Sequence, residues 1–137
     1  MSPETLSELL ASCESDALDF KLTHYDLGVP GDDAKARERK RAKFAKDILA
    51  FANLWRDEPR HIVIGVKRSP DGKVEAPGVA EHIDSANLVH ALEGLVHPCP
   101  RFHYAQVELN GLQYAVIEIS AERSIGPFFG FFRFFSG

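Results

Sequence analysis

The residues best suited to chemistry sit in Glu14-Ser-Asp-Ala-Leu-Asp-Phe-Lys21. This stretch carries three carboxylates and a lysine where the pattern turns from helical to extended. Strand side chains alternate between faces, so Asp19 and Lys21 project together while Leu18 and Phe20 take the other, core-facing side. Glu14 lies five residues before Asp19, near the start of the strand. Two acids and a cation at one edge can hold a metal, a sugar hydroxyl or a phosphate. They can equally form a solvated ion-pair cluster.

A second constellation is cationic. The chain has 137 residues and a net charge of -4, which argues against indiscriminate binding to a polyanion. Yet seven of its sixteen Lys and Arg residues fall between Lys35 and Lys46. A local stripe of this kind can bind phosphates on an acidic protein. Lys35, Arg39, Lys43 and Lys46 are spaced four, four and three, which places them on one helical face, with Arg37, Lys40 and Arg41 around it. Only Glu38 offers an acidic partner within the run. Like charges so close repel, and a polyanion relieves that repulsion; the plain alternative is a solvated helix end. Arg56, Arg60, Lys67 and Arg68 are expected to extend the basic surface.

Three short blocks occur in order: Glu14-Ser15 with Asp19-Phe20-Lys21, then Ala50-Phe51-Ala52-Asn53, then Ile64-Gly65-Val66. In these the chain resembles the Schlafen-type AlbA-like domain family, from about Glu14 to about Ile119. The resemblance implies an α+β domain that binds nucleic acid. Some vertebrate members of that family are metal-dependent endoribonucleases. The resemblance to them implies Glu14 and Asp19 as two of the three catalytic acids and as Mg²⁺ or Mn²⁺ ligands; Lys21 is the third candidate catalytic residue, placed to contact phosphate. Such cations neutralise charge at a scissile phosphate. Two departures stand out. The third acid belongs just after Gly65-Val66, where Lys67 and Arg68 stand. The glycine-rich turn that follows Ala-Phe-Ala-Asn is replaced by Leu54-Trp-Arg-Asp-Glu-Pro-Arg60, which removes a backbone cradle for phosphate.

The positioning elements follow from periodicity and caps. Ser2-Pro3 opens a short helix with Leu6, Leu9 and Leu10 on one side. Ala17 to Thr23 is extended, and Asp26 to Asp33, with two glycines and a proline, is a loop. Asp32 or Asp33 caps a helix from about Ala34 to about Leu54, whose apolar stripe is Phe44, Ile48, Phe51 and Trp55. His61 to Val66 reads as a buried strand, and Asp71-Gly72 as a hairpin turn leading to a short strand that ends near Ala76. Asp84 caps a helix with Leu88, Leu92 and Leu95 inward, and His90 and His97 at the surface or boundary. Phe102–Leu109 and Leu112–Ile119 form a hairpin about Asn110-Gly111. The expected fold is α+β, order α-β-α-β-β-α-β-β, made of meander pairs in a mixed sheet with helices on one face.

Residues 1–126 are expected to form a single domain, and 127–137 an aromatic tail with six phenylalanines between Phe128 and Phe135. Such a run buries or associates more readily than it presents spaced rings to bases, so it is an added strand or a homo-oligomer contact. Cys13 and Cys99 match no zinc or redox spacing and are expected as buried free thiols. No apolar run approaches the roughly 20 residues that cross a bilayer, and the early acids give no signal core, so a cytoplasmic protein is expected. The first function is a nucleic-acid-binding accessory domain whose partner is DNA or RNA. The alternatives are a metal-dependent endoribonuclease with an incomplete carboxylate set and an interaction module working through the tail.

Overall fold

The computed structural model describes all residues except 13, 14, 16, 54–57, 98, 121–128 and 131–137, and only the backbone of 129 and 130. Helix α1 (Pro3–Ala11) starts at Ser2, whose hydroxyl accepts from the Thr5 amide at 3.1 Å. Strand β1 (Leu18–Lys21) follows. Helix α2 (Ala34–Ala52) is capped by Asp33, which accepts from the Ala36 amide at 2.7 Å. After β2 (Arg60–Ile64), the ribbon of β3 (Lys67–Arg68) and β4 (Val74–Glu75) precedes α3 (Ser85–Glu93), capped by Asp84. The chain continues with β5 (Val96–His97), the long β6 (Phe102–Leu109) and β7 (Leu112–Ile119), and β8 (Phe129–Gly130).

Four strands form the main sheet in the order β1-β2-β7-β6. Strands β2, β7 and β6 pair antiparallel, while β1 pairs with β2 in parallel. Parallel neighbours need a long crossover, and α2 supplies it. The chain is therefore not built from meander pairs alone: β1-α2-β2 is one parallel unit joined to an antiparallel hairpin. That hairpin turns at Asn110 and Gly111, both at positive φ, with Leu109 opposite Leu112. The pairing of β8 with β5 lies outside this sheet, so the tail adds no strand to it within the described residues.

The expected strand from His61 to Val66 ends at Ile64. Gly65 takes φ +104° and meets Gly78 so closely that a Cβ there would stand 2.9 Å from the Gly78 Cα. The Gly78 amide donates to the Gly65 carbonyl at 2.9 Å, which turns the chain into the separate β3–β4 ribbon.

Both faces of the sheet are apolar, and each needs a cover. Ile62, Ile64, Ile117 and Ile119 pack beneath Phe44 and Ile48 of α2 and Leu88 and Leu92 of α3. Phe20, Val63, Val107 and Val116 pack with Leu6 of α1 on the other side. The helices thus occupy both faces and not one. An amphipathic pattern says that a helix has an apolar side, but not which sheet face receives it.

Two further expectations are corrected. Arg60 is only 1% exposed, because alternation along β2 sets it on the same face as Ile62 and Ile64, beneath the helices. Cys99 is exposed, lying in the surface connection between β5 and β6, whereas Cys13 lies outside the described residues. Among the described residues no helix is long and apolar enough to cross a membrane.

Candidate nucleic-acid interface

Asp19 and Lys21 lie on the α2 side of β1, at one edge of the sheet, opposite the buried Leu18 and Phe20. There the Lys21 ammonium lies 3.2 Å from Asp19 Oδ2 and 3.4 Å from Asp47 Oδ2. Burial works against its charge, but Asp47 and Asp19 outweigh burial and hold the Lys21 pKa above its ordinary value. Tyr25 completes the cluster. Its ring packs 4.9 Å from that of Phe44, and its hydroxyl donates to Asp47 Oδ2 at 2.6 Å. Burial and the Asp47 carboxylate together push the Tyr25 hydroxyl far up, so it is a neutral donor.

The connection from β1 to α2 is tied to the basic helix. Asp32 Oδ2 accepts from the Val29 amide at 2.9 Å and from Lys40 Nζ at 2.8 Å. Asp26 accepts from the Gly28 amide at 2.9 Å and stands 3.5 Å from the same ammonium. Arg41 Nε donates to the Leu27 carbonyl at 3.0 Å. The Lys40 hydrogen bond, with the Val29 amide, lowers the Asp32 pKa, and Asp32 raises that of Lys40.

Between this connection and α2 opens a cleft of about 600 Å³. Lys21, Lys40, Lys43 and Lys46 line it, with Asp26 and Asp47 among them. Thr23, His24 and Tyr25 complete the lining. His24 Nε2 donates to the Glu81 carbonyl at 2.9 Å, which leaves Nδ1 as the acceptor nitrogen. Burial holds the His24 pKa below its ordinary value; the Glu81 carbonyl opposes this and His82 adds to it.

The structure separates the predicted basic residues into groups. Lys40, Lys43 and Lys46 meet Lys21 at the cleft. Lys35 and Arg39 are exposed toward the N-terminal end of α2, outside the cleft lining. Arg37 and Arg41 turn toward α3 and line a different hollow with His90 and Leu95. Arg68 points to the α1 side, where its Nη2 donates to the Ser12 carbonyl at 3.2 Å and its guanidinium lies 5.7 Å from the centre of the Phe20 ring. Lys67 is exposed on β3, and Arg60 is interior. Glu14 and Arg56 lie outside the described residues. A single basic surface containing all of these residues therefore does not form. Positions at 100° steps around a helix cannot all face one way, and β2 turns Arg60 inward.

A divalent cation does not fit the described donor set. Asp19 and Asp47 already share the Lys21 ammonium, and cations occupy the two positions after Val66. Among the described residues no group of three potential ligands is assembled. Among the cleft residues that escaped the sequence reading are the ring- and carboxylate-bearing His24, Tyr25, Asp26 and Asp47. Asp47 carried a usable signal, since it follows Lys43 by four and so shares its helical face. The other three lie where no periodicity marks them.

Residues 14–127 match the Schlafen, AlbA_2 family. The chain belongs to that family. Among solved structures, this Schlafen AlbA_2 domain is similar to the N-terminal domain of an ATP-dependent DNA helicase RecG-related protein from Nitrosomonas europaea. That likeness has a TM-score of 0.56 at 17% identity, covering 90% of this chain and 75% of the other. It is also similar to the DIP2311 protein of Corynebacterium diphtheriae, with a TM-score of 0.48 at 16% identity, over 89% of this chain and 22% of that one. At 17% identity the first of these likenesses is one of fold alone. No curated protein matches the chain.

Proposed function

We propose that this Schlafen AlbA_2 domain binds a polynucleotide by its phosphate backbone, in the cleft between β1 and α2. The observation that carries this reading is the meeting of Lys21, Lys40, Lys43 and Lys46 around one hollow on a chain of net charge -4. Ammonium groups are compact point charges that hold phosphates without a fixed fork geometry. Contacts of this kind position a strand and carry no base information. The helicase-related description of the Nitrosomonas europaea relative is in keeping with a nucleic-acid role. The Lys21 ammonium beside Asp19 and Asp47 favours holding the backbone over cutting it through a metal.

Charge reversal tests the proposal. Lys43 and Lys46 are exposed, so Lys43→Glu with Lys46→Glu leaves the core untouched. Binding of labelled DNA or RNA at low salt is expected to weaken at least about tenfold, given the salt-sensitive phosphate contacts removed. Unchanged affinity in the double variant overturns the assignment to this cleft.

A further inference from the structure

Given backbone binding at this cleft, we infer that its substrate is a single polynucleotide strand, DNA or RNA, and not a duplex. The converging cations occupy little ground. Lys40 and Lys46 are six residues apart, about 9 Å along α2 at the helical rise. With Lys21 across the hollow, that span suits successive phosphates of one strand.

A duplex presents two phosphate rows separated by a groove of about 6 or 12 Å. The second row needs cations of its own, but Lys35 and Arg39 continue the α2 face of Lys43 and Lys46 and so lengthen one row. Lys67 is exposed on β3 outside the cleft lining, and beyond Lys21 no Lys or Arg among the described lining residues faces that row across the cleft. Arg37 and Arg41 line the hollow against α3, Arg60 is interior, and Arg68 is engaged with Ser12 and Phe20 on the α1 side. Asp26, whose side chain is 62% exposed, lines the same cleft and narrows the positive field further. Charges within a Debye length of about 8–10 Å repel a neighbouring phosphate row with little screening. A single strand avoids this cost because it turns its phosphates inward and its bases away.

The test is fluorescence anisotropy on the full chain, with short labelled oligo-dT and oligo-rU strands and with DNA and RNA duplexes of equal length. The expected result is a single strand bound at least about tenfold tighter than either duplex, with log affinity falling against log salt at a slope of about -2 to -3 for three or four phosphates. The two single-strand arms decide between DNA and RNA. A duplex bound as tightly as the single strand, or more tightly, overturns the inference and leaves backbone binding standing. No binding of any probe overturns both. A single-strand preference that survives Lys43→Glu with Lys46→Glu places the discriminating surface elsewhere and also overturns it.

Discussion

The Lys40 ammonium lies 3.5 Å from the Asp26 carboxylate, inside the cleft that Lys43 and Lys46 also line. Asp26 thus stands where an incoming phosphate would stand, as an internal competitor on a largely exposed side chain. Asp26→Asn is expected to tighten polynucleotide binding about two- to fivefold, the scale of an exposed ion pair. It should also steepen the salt slope by about 0.7 for a single strand, as one more phosphate contact forms. Salt titrations of the wild type and the variant read both effects, and a weaker or flatter titration contradicts the competition.

Metal removal separates a lysine grip from a metal-bridged one. Lys21 sits between Asp19 and Asp47, so binding is expected to survive EDTA unchanged. Added Mg²⁺ should weaken binding by competing for the phosphates. Loss of binding in EDTA, or strand cleavage dependent on Asp19 with Mn²⁺, would restore the nuclease alternative.

His24 makes stability depend on pH. Its folded pKa is depressed below 6.5, first by burial, so between the two values the unfolded chain binds more protons. The stability it contributes is complete above the unfolded pKa and is lost as pH falls through the folded one. Melting temperature should therefore drop more for the wild type than for His24→Gln between about pH 7 and about pH 5. Parallel melting curves in the two proteins would show that His24 contributes no such dependence.

Gly65→Ala tests the corner that turns β2 away from the site. At φ +104° an added Cβ meets Gly78, so a loss of at least about 2 kcal/mol is expected in denaturant unfolding. Asn110→Gly, in the open turn of the β6–β7 hairpin, should by contrast change stability by less than about 1 kcal/mol.

Local chemistry was legible in the sequence where a short rule decides it. Asn110-Gly111 set the turn of the β6–β7 hairpin, and its observed register follows. Alternation placed Asp19 beside Lys21 and turned Leu18 and Phe20 into the core. Helical spacing brought Phe44, Ile48 and Phe51 to one buried side; Trp55 lies outside the described residues. What stayed hidden depends on contacts between distant segments. Asp47 reaches Lys21 only because α2 crosses over a parallel β1–β2 pair. Arg60 looked like surface charge until β2 took its place under α2, and the face chosen by α1 is set by packing on Val63 and Val116. Tyr25 and Asp26 lie in an aperiodic connection whose path is fixed by Lys40 and Arg41.

The most direct measurement is the pattern of backbone amide shifts as a short oligo-dT or oligo-rU strand is titrated into the isotope-labelled protein. The predicted result is a set of perturbations centred on Lys21 to Asp26 and on Lys40 to Asp47, fading toward α3. Shifts centred on Arg37, Arg41 and His90, or no shifts at saturating strand, would contradict a phosphate-binding cleft between β1 and α2.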